Sequence, residues 1–472
     1  MIFQLLPYIH EYYSGNESMV LVIAPLNALI DDQIKSLTKK GVNAGVLRTK
    51  KENPKNKSEK EDEKSCTDEF EFDSDMEYTK QFEDIDDGEL SLIESGNFRL
   101  LFLPPEGFIS CKKGRNILMS VIYQKKVAYC VIDEAHLVQE WREEFRTDFR
   151  KLSQLRAIFP STPMLALTAS APPKYFTHLT DYLLLQNPCR VVGNLDRPNI
   201  YIAIHKRKPS SIGSESYASI LRPIANELKE QLTRYQLTII YLPLKWCGYA
   251  FKLFEQILQE KVYYPEDNID PSHRLFAQFH AAQTEMMKNE IMNQLTGTKS
   301  TIRVLFATVA IGLGVNIPNI GQIIHIGPPR TIESYYQEIE RAGRDGKPAK
   351  PLLYYNGSDI SANKPGMTWE MRAFCLTVTT CLRNYMLEYL GSCKAQNYTP
   401  HLCCSNCSSG CTCKHCSIND EIKPQSSPEA KSSPEIPQPI PVREVSAEQR
   451  KIILNSLKKY RLEIGAKNLR FG

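Results

Sequence analysis

The chain carries little net charge. Its 58 lysines and arginines against 54 aspartates and glutamates leave a formal +4 over 472 residues. A polyanionic partner would therefore have to be gripped in local basic grooves and not by a globally basic surface. It also has no apolar run long enough to span a bilayer, so no membrane partner is expected of these residues. Met1-Ile2-Phe3-Gln4-Leu5-Leu6 carries no basic residue and runs on into His10-Glu11, a poor match to a secretory signal. The 14 cysteines are not spread as a disulfide framework would spread them. Most lie between Cys375 and Cys416, a clustering that suits a metal site in a reducing compartment. An intracellular protein is expected, with two or three domains, because this length exceeds what one core holds.

Within those limits the chain is built from short apolar runs separated by helical stretches. Met19-Val20-Leu21-Val22-Ile23-Ala24-Pro25 reads as a strand and Leu29 to Leu37 as a helix. Residues 50–90 are rich in Lys, Glu, Asp and Ser and read as a solvated insertion. Strands are expected again at Phe98–Leu103, at Tyr129–Ile132 and at Met164–Ser170. A second set begins at Leu237–Leu242 and continues through Ile302–Ala307 and Ile323–Ile326. Alternating strands and helices imply parallel βαβ units. We read an α/β chain of two parallel-sheet lobes, 1–195 and 196–365, with a boundary stretch at 194–206. A small helical cysteine-rich unit follows at 366–416, then a Pro/Ser-rich linker at 417–445. The last segment, 446–472, is a tail helix that opens on the capping-box spacing Ser446-Ala447-Glu448-Gln449.

The most informative stretch is Tyr129-Cys130-Val131-Ile132-Asp133-Glu134-Ala135-His136. A buried strand delivers two carboxylates to its carboxyl end, where open α/β sheets place their ligand crevice. One carboxylate can hold Mg²⁺ on a nucleoside triphosphate, and its neighbour can orient or deprotonate the attacking water. Taken alone, the same residues could form a solvated acidic turn. Four other segments accompany them: Pro25-Leu26-Asn27-Ala28-Leu29 to Asp32-Gln33, Leu167-Thr168-Ala169-Ser170-Ala171, Ala307-Thr308 to Asn316, and Tyr335-Tyr336-Gln337 to Arg344-Asp345-Gly346.

In order and spacing these segments resemble the motor motifs of superfamily 2 helicases. Asp133 through Trp141, Phe145-Arg146 and Phe149 to Leu155-Arg156 resembles the RecQ family in particular, as do Asp196-Arg197-Pro198-Asn199 and the cysteine unit. The resemblance covers most of residues 1–416. It implies two RecA-like lobes, a zinc-binding subdomain and an ATP-dependent 3′-to-5′ DNA helicase of recombination and repair, nuclear in location. Its partners would be single-stranded and partly duplex DNA, and its cofactors ATP, Mg²⁺ and Zn²⁺.

By the same resemblance Asp133 would hold Mg²⁺ and Glu134 would activate water. Gln337, Gly312 and Asn316 would touch the nucleotide. Arg344 would neutralise charge on the transferred phosphate, an effect worth roughly 10³–10⁵ in rate for such an arginine, and Arg341 would face the same nucleotide. DNA contacts would come from Trp141, Phe145, Arg146 and Phe149, whose rings and cations suit single strands. Thr168, Ser170, Arg197, Asn199 and Thr308 would add to them. The chain departs from the family pattern at Arg142-Glu143, Thr147, Asn316 and Glu340. Glu340, directly before Arg341, could pair with an arginine and dull its action.

Cys404-Ser405-Asn406-Cys407 is a zinc knuckle by spacing, and Cys381 would supply a third thiolate as in the RecQ zinc subdomain. The fourth ligand is open between Cys393 and Cys403. Adjacency to Cys404 strains Cys403, so Cys393 is preferred. Cys411, Cys413, His415 and Cys416 form either a second site or, more simply, free thiols. A working motor also needs a Gly-rich loop ending Gly-Lys-Ser/Thr to cradle the phosphates. In the family it stands just before the helix that Ile2 to Pro7 resembles. No such loop occurs in these residues, since Gly297-Thr298-Lys299-Ser300 lacks the distant first glycine. Either the chain is an incomplete product of a larger helicase, which its abrupt start favours, or it has lost ATP hydrolysis. As written it is expected to bind ATP poorly.

Overall fold

The computed structural model describes residues 2–24, 27–48, 90–136, 151–168, 172–266, 270–297, 300–308, 317–393 and 398–411. Residues Met1–Cys416 form one compact unit; the second, Ser417–Gly472, lies outside the described residues, and with it the expected linker and tail helix.

Two parallel sheets organise the first unit. The first contains β1 (Met19–Ile23), β2 (Ala44–Val46), β3 (Leu100–Leu103), β4 (Val127–Ile132) and β5 (Met164–Ala166), in the order β2-β3-β1-β4-β5. The second contains β6 (Ala203–Lys206), β7 (Leu237–Tyr241), β8 (Phe276–Phe279), β9 (Val304–Ala307), β10 (Ile320–Ile326) and β11 (Lys350–Tyr355), in the order β6-β11-β10-β7-β9-β8. Every strand pairing is parallel.

The apolar runs make these strands because a parallel strand is covered on both faces and has no side left for water. In β1 all five residues are buried. Met19, Leu21 and Ile23 pack into one apolar layer, and Val20, Val22 and Ala24 into the opposite one, as the period of two requires. The second sheet repeats this: Leu237, Ile239 and Tyr241 face one layer, Ile240 and Leu242 the other. Helices fill both layers. Helix Leu244–Leu258, for example, buries Cys247, Ala250, Leu253, Phe254 and Leu258 over the second sheet. Among the described residues no helix is long and apolar enough to cross a membrane.

The structure refines the expected elements at their edges. The 194–206 stretch, expected to separate the lobes, ends in β6, which pairs with β11 and becomes the edge of the second sheet. The expected strand Met164–Ser170 closes at Ala166.

Phe306 is fully buried between Phe254 and Phe276, with ring centroids 4.8 and 6.3 Å away. Phe306→Ala is expected to cost about 3–5 kcal/mol of stability. Urea unfolding followed by far-UV circular dichroism measures it, and a loss below about 1 kcal/mol would place this ring outside a close-packed core.

Candidate functional site

The carboxyl end of β4 is fastened to its neighbours before any chemistry is considered. Asp133 N–H donates to the Ile23 carbonyl at 2.9 Å, and Ala135 N–H to the Leu167 carbonyl at 2.8 Å. This pins the turn between the ends of β1 and β5. Glu134 takes φ +50°, in the left-handed region that a side chain other than glycine enters at a cost. The Asp133 carboxylate accepts from the Glu134 amide at 3.1 Å and from Gln33 Nε2 at 3.4 Å. Burial raises its pKa, against the pull of those two donors. A carboxylate held half-desolvated in this way gains most from a cation placed beside it.

His136 is the centre of the arrangement. It is 2% exposed, and burial pushes its pKa down to about 4, so at neutral pH the ring is uncharged. Gln337 Nε2 lies 2.8 Å from His136 Nε2. With the amide as donor, Nε2 accepts and Nδ1 carries the proton. Nδ1 in turn lies 3.1 Å from Thr168 Oγ1 and 3.4 Å from Glu134 Oε2. Because the ring is neutral, its 3.4 Å approach to Glu134 is not an ion pair. One imidazole thus joins the acidic turn, the end of β5 and a helix of the second lobe.

That helix, Ile332–Ile339, is capped by Thr331, whose hydroxyl accepts from Ser334 N at 3.1 Å. It is anchored by a buried pair, His325 Nε2 to Glu338 Oε2 at 2.6 Å. The chain then turns through Glu340–Gly346. Arg341 is buried, while the Arg344 side chain is 35% exposed. Arg344 approaches Glu340 through the backbone carbonyl (Nε to O 3.4 Å) and through the carboxylate (NH2 to Oε1 3.5 Å). Burial raises the Glu340 pKa, and Arg344, Arg341 and Arg197 oppose that rise. The structure gathers Glu134, Thr168 and Gln337 around His136, with Asp133 beside them through the Glu134 amide, and sets Arg341 in the turn just past the end of the Gln337 helix.

The thiols of Cys381, Cys403, Cys404 and Cys407 all lie within 4.8 Å of one another. Cys381 Sγ is 3.6 Å from that of Cys403 and 4.0 Å from that of Cys404. A tetrahedral zinc with Zn–S bonds of ~2.3 Å separates its sulfurs by roughly 3.8 Å, so the donor set fits zinc. Cys393, preferred on sequence grounds, is corrected to Cys403: it is exposed and outside the cluster. Cys381 caps one end of helix Leu382–Tyr389 and Cys393 follows its other end, so the helical rise alone separates them by about 12 Å. The feared strain at adjacent cysteines is relieved by the extended backbone of Cys404 (φ −161°, ψ 167°) between two short helices. Cys411 Sγ stands 3.7 Å from His401 Nδ1, while Cys413, His415 and Cys416 lie outside the described residues.

Comparison with known proteins agrees with this geometry. Residues 2–178 match the family described as DEAD/DEAH box helicase, and residues 251–346 match the helicase conserved C-terminal domain. The chain belongs to the DEAD/DEAH-box helicases. Within that family it is RecQ-like. It is 26% identical to ATP-dependent DNA helicase Q-like 2 of Arabidopsis thaliana over 85% of this chain and 50% of that protein. ATP-dependent DNA helicase RecQ of Haemophilus influenzae is 28% identical over 83% of this chain and 54% of its own length. RecQ-like DNA helicase BLM of Xenopus laevis is 24% identical over 86% and 27%. The chain therefore spans about half the length of the first two relatives.

Against the expected helicase contacts, two residues are placed differently. Arg197 and Asn199, expected on DNA, turn their side chains into the protein. Arg197 donates to the carbonyls of Glu340 (3.3 Å), Ala342 (3.3 Å) and Gly343 (2.8 Å). Asn199 donates to those of Gly343 (2.8 Å) and Lys347 (2.7 Å). They hold the arginine loop. Thr308 is half-buried just past the end of β9, its N–H donating to Phe279. Trp141, Phe145, Arg146, Phe149, Ser170, Gly312 and Asn316 lie outside the described residues. Sequence reasoning gave His136 no part; a histidine one residue after the paired carboxylates and Ala135, at a strand end, is the signal that could have found it.

The cysteine geometry carries a direct test. Purified protein is expected to hold close to one zinc ion per chain by elemental analysis. Cys403→Ser should lower that content, and Cys393→Ser should leave it unchanged; the opposite pattern would restore Cys393 as a ligand.

Proposed function

We propose that this chain is the motor portion of an ATP-dependent 3′-to-5′ DNA helicase of RecQ type, acting in the nucleus in recombination and repair. The observation that carries the reading is the His136–Gln337 hydrogen bond at 2.8 Å. It sets the acidic turn against the helix that leads into Arg341 and Arg344, as a nucleotide site shared by two lobes demands. The names of the relatives, DNA helicases over most of this chain, point the same way.

In this reading Asp133 would hold Mg²⁺ through its carboxylate and Glu134 would orient and deprotonate the attacking water. Arg344 is the charge-neutralising group, and Gln337 couples the nucleotide state to His136. Thr168, one hydrogen bond from the same ring, would pass that state to DNA. ATP would supply the phosphoryl group and the energy of strand translocation. The cysteine cluster would take zinc as a closed structural site, contributing folding energy and no chemistry. No loop of the form Gly-x-x-x-x-Gly-Lys-Ser/Thr stands in the 472 residues, so slow ATP turnover by this polypeptide is part of the proposal.

One observation favours a second reading. The Glu340 carboxylate faces Arg344 at 3.5 Å, which suits a DNA-binding protein of the same fold with little catalysis. Fluorescence anisotropy with matched DNA and RNA single strands, together with strand-stimulated ATP hydrolysis, tests what the two readings share, and the Glu340→Gly variant separates them. DNA is expected to bind more tightly than RNA, with affinity falling steeply as salt rises. Hydrolysis is expected near background, and Glu340→Gly should raise whatever turnover exists. A preference for RNA would reject the RecQ assignment, and vigorous turnover by the unaltered chain would reject the role given to the missing loop.

A further inference from the structure

The largest fully buried side chain in the described structure is an arginine outside the motor motifs. Arg383, on the Leu382–Tyr389 helix of the cysteine unit, is 2% exposed. Its guanidinium makes contacts that no motor motif explains. NH1 donates to Asp196 Oδ1 at 2.9 Å and to the Arg197 carbonyl at 2.7 Å. NH2 donates to the carbonyl of Ile200 and, at 3.4 Å, to that of Cys403. Tyr398 lies over the guanidinium at 4.6 Å, and its hydroxyl donates to Asp196 Oδ2 at 2.5 Å. A planar fork with several donors is suited to fixing a turn at several points at once, which a lysine cannot do.

The turn that Arg383 fixes, Asp196 to Ile200, carries the two side chains that grip the arginine loop. Arg197 and Asn199 between them hold the carbonyls of Glu340, Ala342, Gly343 and Lys347. Space leaves the loop few alternatives: a Cβ on Gly343, whose φ is +60°, would come within 2.4 Å of Asn199 Nδ2 and 2.8 Å of the Lys347 carbonyl. The order of contacts is therefore Arg383 to the 196–200 turn, the turn to the carbonyls of 340–347, and those carbonyls to the positions of Arg341 and Arg344.

We propose that Arg383 is a positioning residue for the arginine loop, acting through Arg197, so that the state of the cysteine unit is felt at the nucleotide site. Its catalytic consequence rests on the reading that Arg341 and Arg344 face a nucleotide; the relay itself does not. The linkage runs in both directions. Whatever loosens the 196–200 turn loosens the loop, and whatever draws Arg344 toward a phosphate strains the turn back toward Arg383.

Hydrogen exchange on the full chain tests the relay without nucleotide. The amides of Gly343 and Gly346, which donate to Ile320 and to Gly343 at 2.9 and 3.0 Å, report the loop. In Arg383→Lys, which keeps the charge and loses the fork, these amides are expected to exchange roughly tenfold faster or more, the scale of losing a charge-assisted bond. Amides of β7 and β9 should keep their wild-type rates. Asp196→Asn, which leaves Arg383 in place and removes its charged partner, should give a smaller change at the same two amides. It serves also if Arg383→Lys does not fold. Arg197→Lys should match Arg383→Lys, and the double variant should exchange no faster than Arg197→Lys alone, because the two act in series. Unchanged loop exchange, acceleration spread evenly over the second sheet, or additive effects in the double variant would each overturn the proposal. Because the relay is read without nucleotide, its response upholds or overturns the role of Arg383 independently of whether Arg341 and Arg344 face a nucleotide.

Discussion

A neutral imidazole between two lobes is the contact on which the functional account depends. His136 can accept from Gln337 only while Nε2 is unprotonated, and burial secures that by holding its pKa near 4. The sign of the linkage follows. A histidine with a depressed folded pKa contributes stability in full above its unfolded value near 6.5, and that stability is lost as the pH falls toward 4. The lobes are thus held in register throughout the physiological range, and the contact weakens only in acid. The same ring proton, on Nδ1, faces Thr168 and Glu134. A change at the acidic turn therefore has a short route both to the end of β5 and to the second lobe.

What lets such a contact exist is the parallel α/β construction beneath it. Strands buried on both faces end at one edge of their sheet, and the polar residues that follow them are the first that can reach solvent or a ligand. Asp133 follows β4, Thr168 follows β5 and Thr308 follows β9. The chemistry is gathered by topology before any side chain is chosen. The cysteine unit adds a different constraint. Cys404 bridges Ile202 in parallel, and Ser405 N–H donates to the Ile202 carbonyl at 2.9 Å, so the unit lies against the segment leading into the edge strand β6. Edges left open invite pairing with other chains; here a metal-suited cluster helps to cover one and contributes the buried Arg383.

How much of this was legible in the residues follows from what each element buries. Met19–Ile23, Leu237–Tyr241 and Val304–Ala307 are central strands, covered on both faces, and their largely apolar runs announce them. Ala44–Val46 and Phe276–Phe279 are short edge strands with too few apolar residues to stand out. Lys350–Tyr355 alternates exposed or half-buried positions with buried ones and begins Lys-Pro, so it reads weakly too. At the site, the position of the carboxylates after a strand and of the arginines after a helix was readable from residue type and spacing. Arg197 and Asn199 were not, because a donor that serves DNA and a donor that serves a carbonyl look the same in sequence. Cys403 is not distinguishable from Cys393 in sequence, because spacing along the chain cannot show that a helix carries its two ends apart, or that one extended residue lets neighbouring thiols converge. Arg383 reads as one more cation on a helix until docking buries it.

The central claim is that the acidic turn and the helix preceding the arginine loop are physically joined by His136 and Gln337. A double-mutant cycle measures that join directly: His136→Ala, Gln337→Ala and the pair together, each unfolded in urea at neutral pH. The account requires a coupling energy of about 0.5–1.5 kcal/mol between the two positions, the range of a buried neutral hydrogen bond. Strictly additive losses would mean that the two side chains do not meet, and the shared-cleft account would fail.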